Sequence, residues 1–320
     1  MTIDDLISTT KNQHVQDFII DNFKQAVEGT VQVSPSSQAI AGVLVSSFYR
    51  GKSNVPVWAE QPIKKFGQFF PEIISYDAAS AFRDENGVMT NVQAHFFYDD
   101  RGPNKAESTW DGHHSFRNFI ISLGGSVQWD PQTGAIQKIT VGNGILLEDA
   151  GDYIVIRKKD ARTKREIVIY ANKPDQSDAM VETIQTKIME TQKPQTVVHR
   201  GHSYHASKTI KLLRSSVTMV NLGSCGGAKN VSDVLGKIPT AQVMATRNVG
   251  TMLVNDPLIR AIDTSLLVQG QVDWRAMRTQ MDAIFKRSGG VANERWQSYL
   301  LPNQNRTAHL LAAIKRISAR

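Results

Sequence analysis

The sequence predicts an α/β fold with a mostly parallel sheet that helices cover on both faces. Three short apolar runs with strand-like composition carry this prediction, at residues 196–198, 217–222 and 241–246. Two segments with helical periodicity, residues 207–215 and 231–238, separate these runs. Short, regular alternation of strands and helices is typical of parallel sheets with helical connections. Ligand chemistry is therefore expected at the carboxyl ends of the strands.

The region before residue 196 is expected to begin with helices and to continue with strands. Apolar residues recur at helical spacing between Phe18 and Val27, and residues 1–88 are predicted to form a mostly helical segment. Residues 89–320 are predicted to form the α/β domain, which ends in a basic helix at 306–320. Its further predicted elements are a strand from Val92, a helix at 115–123, the strand SVQW, β elements across 136–171, and helices at 177–192, 257–267 and 274–287.

The composition is that of a globular protein. The chain has 320 residues, of which 41% are hydrophobic and 21% are charged. No apolar run approaches the roughly 18 to 20 residues that a membrane helix needs, and residues 1–29 lack a signal-peptide pattern. We therefore expect a soluble chain without a membrane partner, assigned to the cytoplasm by default.

The net charge of +7 is concentrated in two segments. One is a predicted hairpin with six basic residues between positions 157 and 165, and the other is the C-terminal segment 306–320. Neither segment has the interleaved aromatic residues that single-stranded nucleic acids favour. A nucleic-acid partner is therefore not expected, and the charge does not decide the oligomeric state.

The chain contains one cysteine, Cys225, so it has no internal disulfide framework. Cys225 follows the apolar run at 217–222 and lies between Gly223 and Gly226, whose small size lets a substrate backbone approach. A free thiol has a pKa of about 8.5 and needs a nearby imidazole or helix N-terminus to act as a nucleophile at neutral pH. The sequence therefore makes Cys225 a candidate nucleophile.

Three histidines follow the run at 196–198 at intervals of three residues: His199, His202 and His205. On a helix this spacing would suggest a metal site, but the intervening Arg200, Gly201 and Ser203 disfavour a helix, and no HExxH motif is present. We therefore expect neither a metal nor a cofactor. One of these histidines is the expected partner of Cys225.

The segment GSCGGAKN, residues 223–230, argues against two other chemistries. A phosphatase loop needs an arginine six residues after its cysteine, and position 231 is valine. The segment fits neither GxGxxG nor GxxxxGK[ST], the common phosphate-binding patterns. Nucleotide binding therefore stays only as an alternative interpretation.

The blocks VVHRGHS and VNLGSCGG resemble the histidine and cysteine blocks of the caspase-like cysteine peptidases, the group that contains caspases, separases, gingipains, clostripain and CHAT domains. The order of the blocks, histidine before cysteine on successive parallel strands, is also found in that family. The segments FFYDDRG and DGHHSFRNFIISLGGSVQW resemble its opening strand, loop and helix. This resemblance covers residues from about 90 to about 270 and implies a caspase-like three-layer α/β/α fold.

The resemblance implies that Cys225 is the nucleophile and that His202, preceded by Gly201, is the catalytic histidine. It also implies an oxyanion hole made by the backbone N–H groups of Ser203 and Cys225. The family usually has glycine where this chain has Ser203. His199, and after it His205, therefore remain alternative partners for the thiol.

The activity implied by the resemblance is hydrolysis of a protein or peptide substrate through a thioester acyl-enzyme. Asp99 and Asp100 are candidate pocket residues that would favour Arg or Lys before the scissile bond. Arg101 and Arg247 are candidates that would favour an acidic residue, and the sequence does not choose between the two sets. Two alternative functions remain, an inactive scaffold on the same fold and a basic α/β protein that binds nucleotides or nucleic acid.

Overall fold

The computed structural model describes residues 13–49, 52–69, 73–99, 111–142 and 144–319. The chain forms two compact units, of which one comprises Met1–Glu72 with Asn305–Arg320 and the other comprises Ile73–Gln304. The sequence placed a boundary at residues 88 and 89 and kept the C-terminal helix with the sheet. The structure instead places the boundary near residue 72 and groups the C-terminal helix with the N-terminal helices.

The helices of the described residues are, in chain order, α1 Gln13–Glu28, α2 Pro35–Tyr49, α3 Val57–Phe66, α4 Ala78–Ala81, α5 Asp111–Ser122, α6 Asp178–Gln192, α7 Ala206–Leu212, α8 Val231–Lys237, α9 Met252–Gln269, α10 Trp274–Ser288, α11 Gly290–Trp296 and α12 Arg306–Ser318. The strands are β1 Ser75–Tyr76, β2 Arg83–Glu85, β3 Val88–Phe97, β4 Ser126–Trp129, β5 Ile136–Thr140, β6 Leu146–Asp149, β7 Tyr153–Lys159, β8 Arg165–Asn172, β9 Thr196–Arg200, β10 Met219–Leu222, β11 Gln242–Thr246, β12 Val272–Asp273 and β13 Tyr299–Leu300. None of these helices is long and apolar enough to span a lipid bilayer.

The first unit consists of α1, α2, α3 and α12. Its small core joins Val43 of α2 to Leu310 and Ala313 of α12, and Phe66 and Phe69 pack against these residues. One apolar side of α12 is thus buried against α2. Burial of this side removes apolar surface from water, which explains why α12 belongs to this unit rather than to the sheet.

The second unit is built around one large sheet. In the described residues its strand order is β13-β11-β10-β9-β3-β8-β7-β6, and β2 also pairs with β3. The five strands from β11 to β8 are parallel to one another, whereas β13, β7, β6 and β2 pair antiparallel. The sheet is therefore mixed rather than mostly parallel. A short turn joins β7 to β8, and such a turn can join only antiparallel strands.

Helices cover both faces of this sheet. Successive residues of a strand point to opposite faces. The last two residues of β9, His199 and Arg200, therefore contact helices on opposite faces of the sheet. The Arg200 guanidinium lies 5.4 Å from the Phe119 ring of α5, whereas His199 bonds to Thr209 of α7. Helices α5, α9 and α10 share the larger hydrophobic core with the first of these faces. The α/β class predicted from the sequence is confirmed.

Candidate active site

A cleft of about 300 Å³ opens at the carboxyl ends of β9 and β10. These strands are neighbours and run parallel, with Asn221 of β10 opposite Val198 of β9. The chain turns after each strand, and the two turns bring His202 and Cys225 to the same cleft. Further walls come from the start of α5 and from the loop between β11 and α9. The histidine and the cysteine indicated by the sequence therefore share one site.

Cys225 lies in a tight glycine turn after β10, and its thiol is free and exposed. Gly226 has a φ of +63°, a conformation that favours glycine, and its amide donates to the Asn248 carbonyl at 2.6 Å. At Gly227 a Cβ would lie 2.1 Å from the carbonyl oxygen of Leu222. Both positions therefore require glycine, and the turn holds the thiol at the cleft.

The backbone before Cys225 packs closely against the start of α9. A Cβ on Gly223 would lie 2.0 Å from Oδ1 of Asn255, and a Cβ on Gly250 would lie 1.9 Å from the Gly223 carbonyl oxygen. The Asn255 amide nitrogen donates to this carbonyl at 3.0 Å. The absence of side chains at positions 223 and 250 thus allows the two segments to meet.

Tyr299 of β13 fixes the loop that enters α9. Its hydroxyl accepts a hydrogen bond from the Thr251 amide at 2.9 Å and donates to the Thr251 carbonyl at 3.2 Å. Burial raises the pKa of Tyr299, and the nearby Cys225 raises it further. The phenol therefore stays protonated and keeps donating to the Thr251 carbonyl.

His202 is held at the cleft by contacts on both sides of its ring. Gly201 before it has a φ of +144°, and a Cβ there would lie 3.1 Å from the Tyr98 carbonyl oxygen. The His202 Nε2 lies 2.7 Å from a carboxylate oxygen of Asp111, the first residue of α5. The ring also stacks on Tyr204, with 5.0 Å between centroids. The imidazole is therefore oriented by a carboxylate, while more than a third of the side chain stays exposed.

His199 also borders the cleft, but its ring nitrogens are used within the fold. Nδ1 lies 2.8 Å from the Thr209 hydroxyl, and Nε2 lies 3.1 Å from the His202 carbonyl oxygen. Burial lowers the pKa of His199 to about 4. At neutral pH this imidazole is uncharged and supports the backbone of His202. The arrangement thus favours His202 over His199 as the partner of Cys225.

The third histidine, His205, is buried and stacks on Tyr98 with 5.1 Å between ring centroids. The three histidines therefore have different surroundings: Thr209 for His199, Asp111 for His202 and Tyr98 for His205. In the part of the chain that the structure describes, no group of three or more His, Cys, Asp or Glu side chains is placed to hold a metal.

The two backbone amides expected to form the oxyanion hole lie in the turns that follow β9 and β10. Ser203 begins a 3₁₀ turn directly after His202, and Cys225 precedes another such turn, Gly227–Asn230. Neither amide donates a hydrogen bond to another described residue. Cys225 is among the residues that line the cleft, whereas Ser203 is not.

The structure does not support the candidate pocket residues that it describes. Asp99 is buried and bonds to His113, whose other ring nitrogen lies 2.9 Å from the Gly134 carbonyl oxygen. Arg247 is exposed, and its amide donates to the Ser298 carbonyl at 2.9 Å. Asp99 serves a buried contact and Arg247 is exposed, and neither is among the residues that line the cleft of Cys225.

The other two candidates, Asp100 and Arg101, lie outside the described residues. Sequence reasoning also missed several residues that line the cleft, among them Asp111, His114, Arg200 and Asn255. For Asp111 the available signal was an acidic residue at the start of a helix. This is a common arrangement because it suits the helix dipole, so it did not point to the histidine 91 positions later.

Comparison with family models, with curated proteins and with solved structures gave no match for this chain in any of the three. The functional interpretation therefore rests on the chemistry of the cleft.

Proposed function

We propose that the protein is a cysteine endopeptidase with a Cys225–His202 dyad on a caspase-like α/β/α fold. The observation that carries the proposal is an exposed thiol in the same cleft as an imidazole that a carboxylate holds in place. Two features support the fold assignment. The histidine and cysteine turns follow neighbouring parallel strands in that order, and helices cover both faces of the sheet.

The reaction has two steps, each with a role for both members of the dyad. His202 accepts the proton of the Cys225 thiol, and the thiolate adds to the carbonyl carbon of the scissile peptide bond. The resulting oxyanion accepts hydrogen bonds from the Ser203 and Cys225 amides. The C–N bond then breaks as His202 gives a proton to the leaving amine, which leaves a thioester. Water attacks the thioester while His202 accepts its proton. The C–S bond then breaks and the carboxyl product leaves. The Cys225 thiolate takes the proton back from His202, which restores the free thiol.

The surroundings of the basic hairpin give little support to the nucleic-acid alternative. Lys158 Nζ lies 2.6 Å from the buried carboxylate of Asp263. The Arg165 guanidinium donates to the Leu267 and Val268 carbonyls at 3.3 and 3.1 Å. These two cations therefore stabilise the packing of the hairpin against α9 instead of facing a phosphate backbone. The strands also reach Lys159 and Arg165, so the predicted six-cation turn is largely part of the strands.

The cleft beside Cys225 supports an active enzyme over an inactive scaffold with a closed pocket. Profiling of the wild type and Cys225→Ala on a peptide library, side by side, tests the proposal. We expect cleavage at defined positions by the wild type, and no cleavage by the variant, which keeps the fold because the thiol is exposed and free. Equal cleavage by both proteins would reject Cys225 as the nucleophile. Absence of cleavage by both would favour the scaffold.

A further inference from the structure

The wall of the cleft that comes from the loop between β11 and α9 contains two aliphatic residues. Val249 lies in this loop, Met252 is the first residue of α9, and both line the cleft. Their exposed fractions are 43% and 39%. The surface of the cleft is more apolar than polar. The two residues therefore supply accessible apolar surface at the cleft of the thiol.

Contacts on both sides of Val249 hold it next to the cysteine turn. The carbonyl of Asn248 accepts a hydrogen bond from the Gly226 amide at 2.6 Å. Gly250 packs against the carbonyl of Gly223, where a Cβ would lie 1.9 Å from the oxygen. The two glycines of the turn lie on either side of the cysteine in the sequence. The residues before and after Val249 are thus fixed to the backbone that carries the nucleophile.

Met252 is held by a side chain of another helix and by the anchored residue before it. Its Sδ accepts a hydrogen bond from the side-chain amide of Asn118 in α5. Tyr299 bonds to both the amide and the carbonyl of Thr251. The apolar wall is therefore formed before a ligand arrives, and binding to it requires little ordering of the loop.

The Asp and Arg side chains among the described lining residues already have partners. Asp111 lies at the His202 imidazole, and Arg200 donates to the buried carboxylate of Asp256. Arg200 is itself only 4% exposed. Neither residue is free to act as the counter-charge of a substrate side chain. A charged side chain would lose hydration here, which is costly, whereas an aliphatic side chain gains when its surface is removed from water.

We infer that Val249 and Met252 form the pocket for the residue before the scissile bond, and that this pocket selects an aliphatic side chain such as leucine or methionine. This inference rests on the proposed peptidase function. The Cα of that residue is bonded directly to the carbonyl carbon that the thiolate attacks, so its side chain is the substrate side chain closest to Cys225. It therefore meets the wall that is fixed to the cysteine turn.

The pocket is tested with peptides that differ only at the residue before the scissile bond, which is Leu, Met, Ala, Asp, Glu, Arg or Lys. We expect kcat/KM of the wild type to be at least about tenfold higher for Leu or Met than for the charged residues, a discrimination that an apolar pocket can supply. Met, Glu and Lys are all unbranched, so their comparison separates charge from shape. A maximum at Asp or Glu would point to His114, which also lines the cleft, and a maximum at Arg or Lys would point to Asp111. Either maximum would overturn the inference.

Val249→Ser gives a second test, because it removes apolar surface from the wall at an exposed position, where substitutions rarely unfold a protein. The ratio of kcat/KM for the Leu peptide to that for the Ala peptide is expected to fall by about 3- to 10-fold. This ratio cancels any effect on the dyad that both peptides share. Val268→Ser is the matched control, because Val268 in α9 is also 43% exposed but is not among the residues that line the cleft. It is expected to keep the wild-type ratio, and an unchanged ratio in Val249→Ser would contradict the pocket.

Binding to Cys225→Ala separates the pocket from the catalytic proposal. The same peptides are titrated into this variant by calorimetry, where no turnover is expected. Binding at least about tenfold tighter for Leu or Met than for the charged residues supports the pocket, even if the wild type cleaves nothing and the peptidase proposal fails. Equal affinities across the series, or binding of none of the peptides, would overturn the inference, even if the wild type proves to be a peptidase.

Discussion

The Nε2 atom of His202 lies 2.7 Å from the carboxylate of Asp111, so the turn after β9 is tied to the first residue of α5. Both side chains are partly exposed, 39% for His202 and 48% for Asp111. An ion pair at such exposure contributes little to stability, typically about 0 to 1 kcal/mol. The contact therefore matters for the orientation of the imidazole more than for folding, which makes Asp111 a positioning residue.

Asp111→Asn keeps the shape of the side chain but removes its charge. We expect kcat to fall about tenfold, a part of the 10²- to 10⁴-fold that a positioned acid–base group contributes, while KM changes little. Steady-state kinetics with one cleaved peptide measures both constants. Glu294→Gln, at an exposed carboxylate in α11, is the matched control and is expected to keep the wild-type kcat. An unchanged kcat in Asp111→Asn would remove the positioning role.

The burial of His199 makes stability depend on pH. Its pKa is about 4 in the folded protein, against about 6.5 when unperturbed, so the folded state resists protonation and the unfolded state does not. The contribution of the neutral ring is complete above about pH 6.5 and is lost as the pH falls towards 4. Burial also lowers the pKa of His95, which acts in the same direction.

His199→Gln removes one of these titrations and leaves His95 in place. The loss of unfolding free energy between pH 7.5 and 4.5 is expected to be about 2 to 3 kcal/mol smaller in the variant than in the wild type. Urea unfolding at the two pH values measures this difference. Equal losses in both proteins would show that His199 is not held neutral by burial.

The glycine turn after Cys225 is predicted to be intolerant of side chains. Gly227→Ala places a methyl group against the Leu222 carbonyl, and forced overlap of this kind costs about 1 to 3 kcal/mol. Gly236→Ala is the control, because it lies in α8 with no atom within 4 Å of the added methyl group. It is expected to stabilise the protein by about 0.5 to 1 kcal/mol. Urea midpoints compare the two, and similar values for both variants would contradict the model of the turn.

Asp99 is predicted to affect folding and not specificity. Asp99→Asn weakens the buried contact with His113, and we expect a loss of about 1 to 3 kcal/mol of unfolding free energy with no change in the residue preferred before the scissile bond. Arg247→Ala, at an exposed position, is expected to change stability by less than about 0.5 kcal/mol. A loss of cleavage after Arg or Lys in Asp99→Asn would restore the pocket role that the sequence suggested.

Local patterns were sufficient to predict the strands that precede His202 and Cys225. The apolar runs at 196–198, 217–222 and 241–246 correspond to β9, β10 and β11, because a buried parallel strand is marked by its own continuous hydrophobicity. The predicted helix at 177–192 corresponds to α6, which Ser177 caps by accepting a hydrogen bond from the Met180 amide at 3.4 Å. The shared cleft then follows from two parallel neighbours whose carboxyl ends meet.

Contacts between residues that are distant in the sequence could not be predicted from local patterns. Nothing in the composition links Asp111 to His202, or separates a buried His199 from a part-exposed His202 three residues later. The burial of Asp99 could not be predicted either, because a carboxylate after a strand is usually solvated at the surface. The position of α12 depended on its packing against α2, which its basic composition concealed.

The central claim is that the Cys225 thiol is activated by His202 to attack a carbonyl carbon. Intact-mass spectrometry after exposure to peptidyl acyloxymethyl ketones, which carry each residue type before the reactive group, tests this most directly. We predict one adduct on the wild type, none on Cys225→Ala, and labelling of His202→Ala that is at least about 10²-fold slower while the variant stays folded. Equally fast labelling of wild type and His202→Ala, or no labelling of the wild type by any of these ketones, would contradict the account.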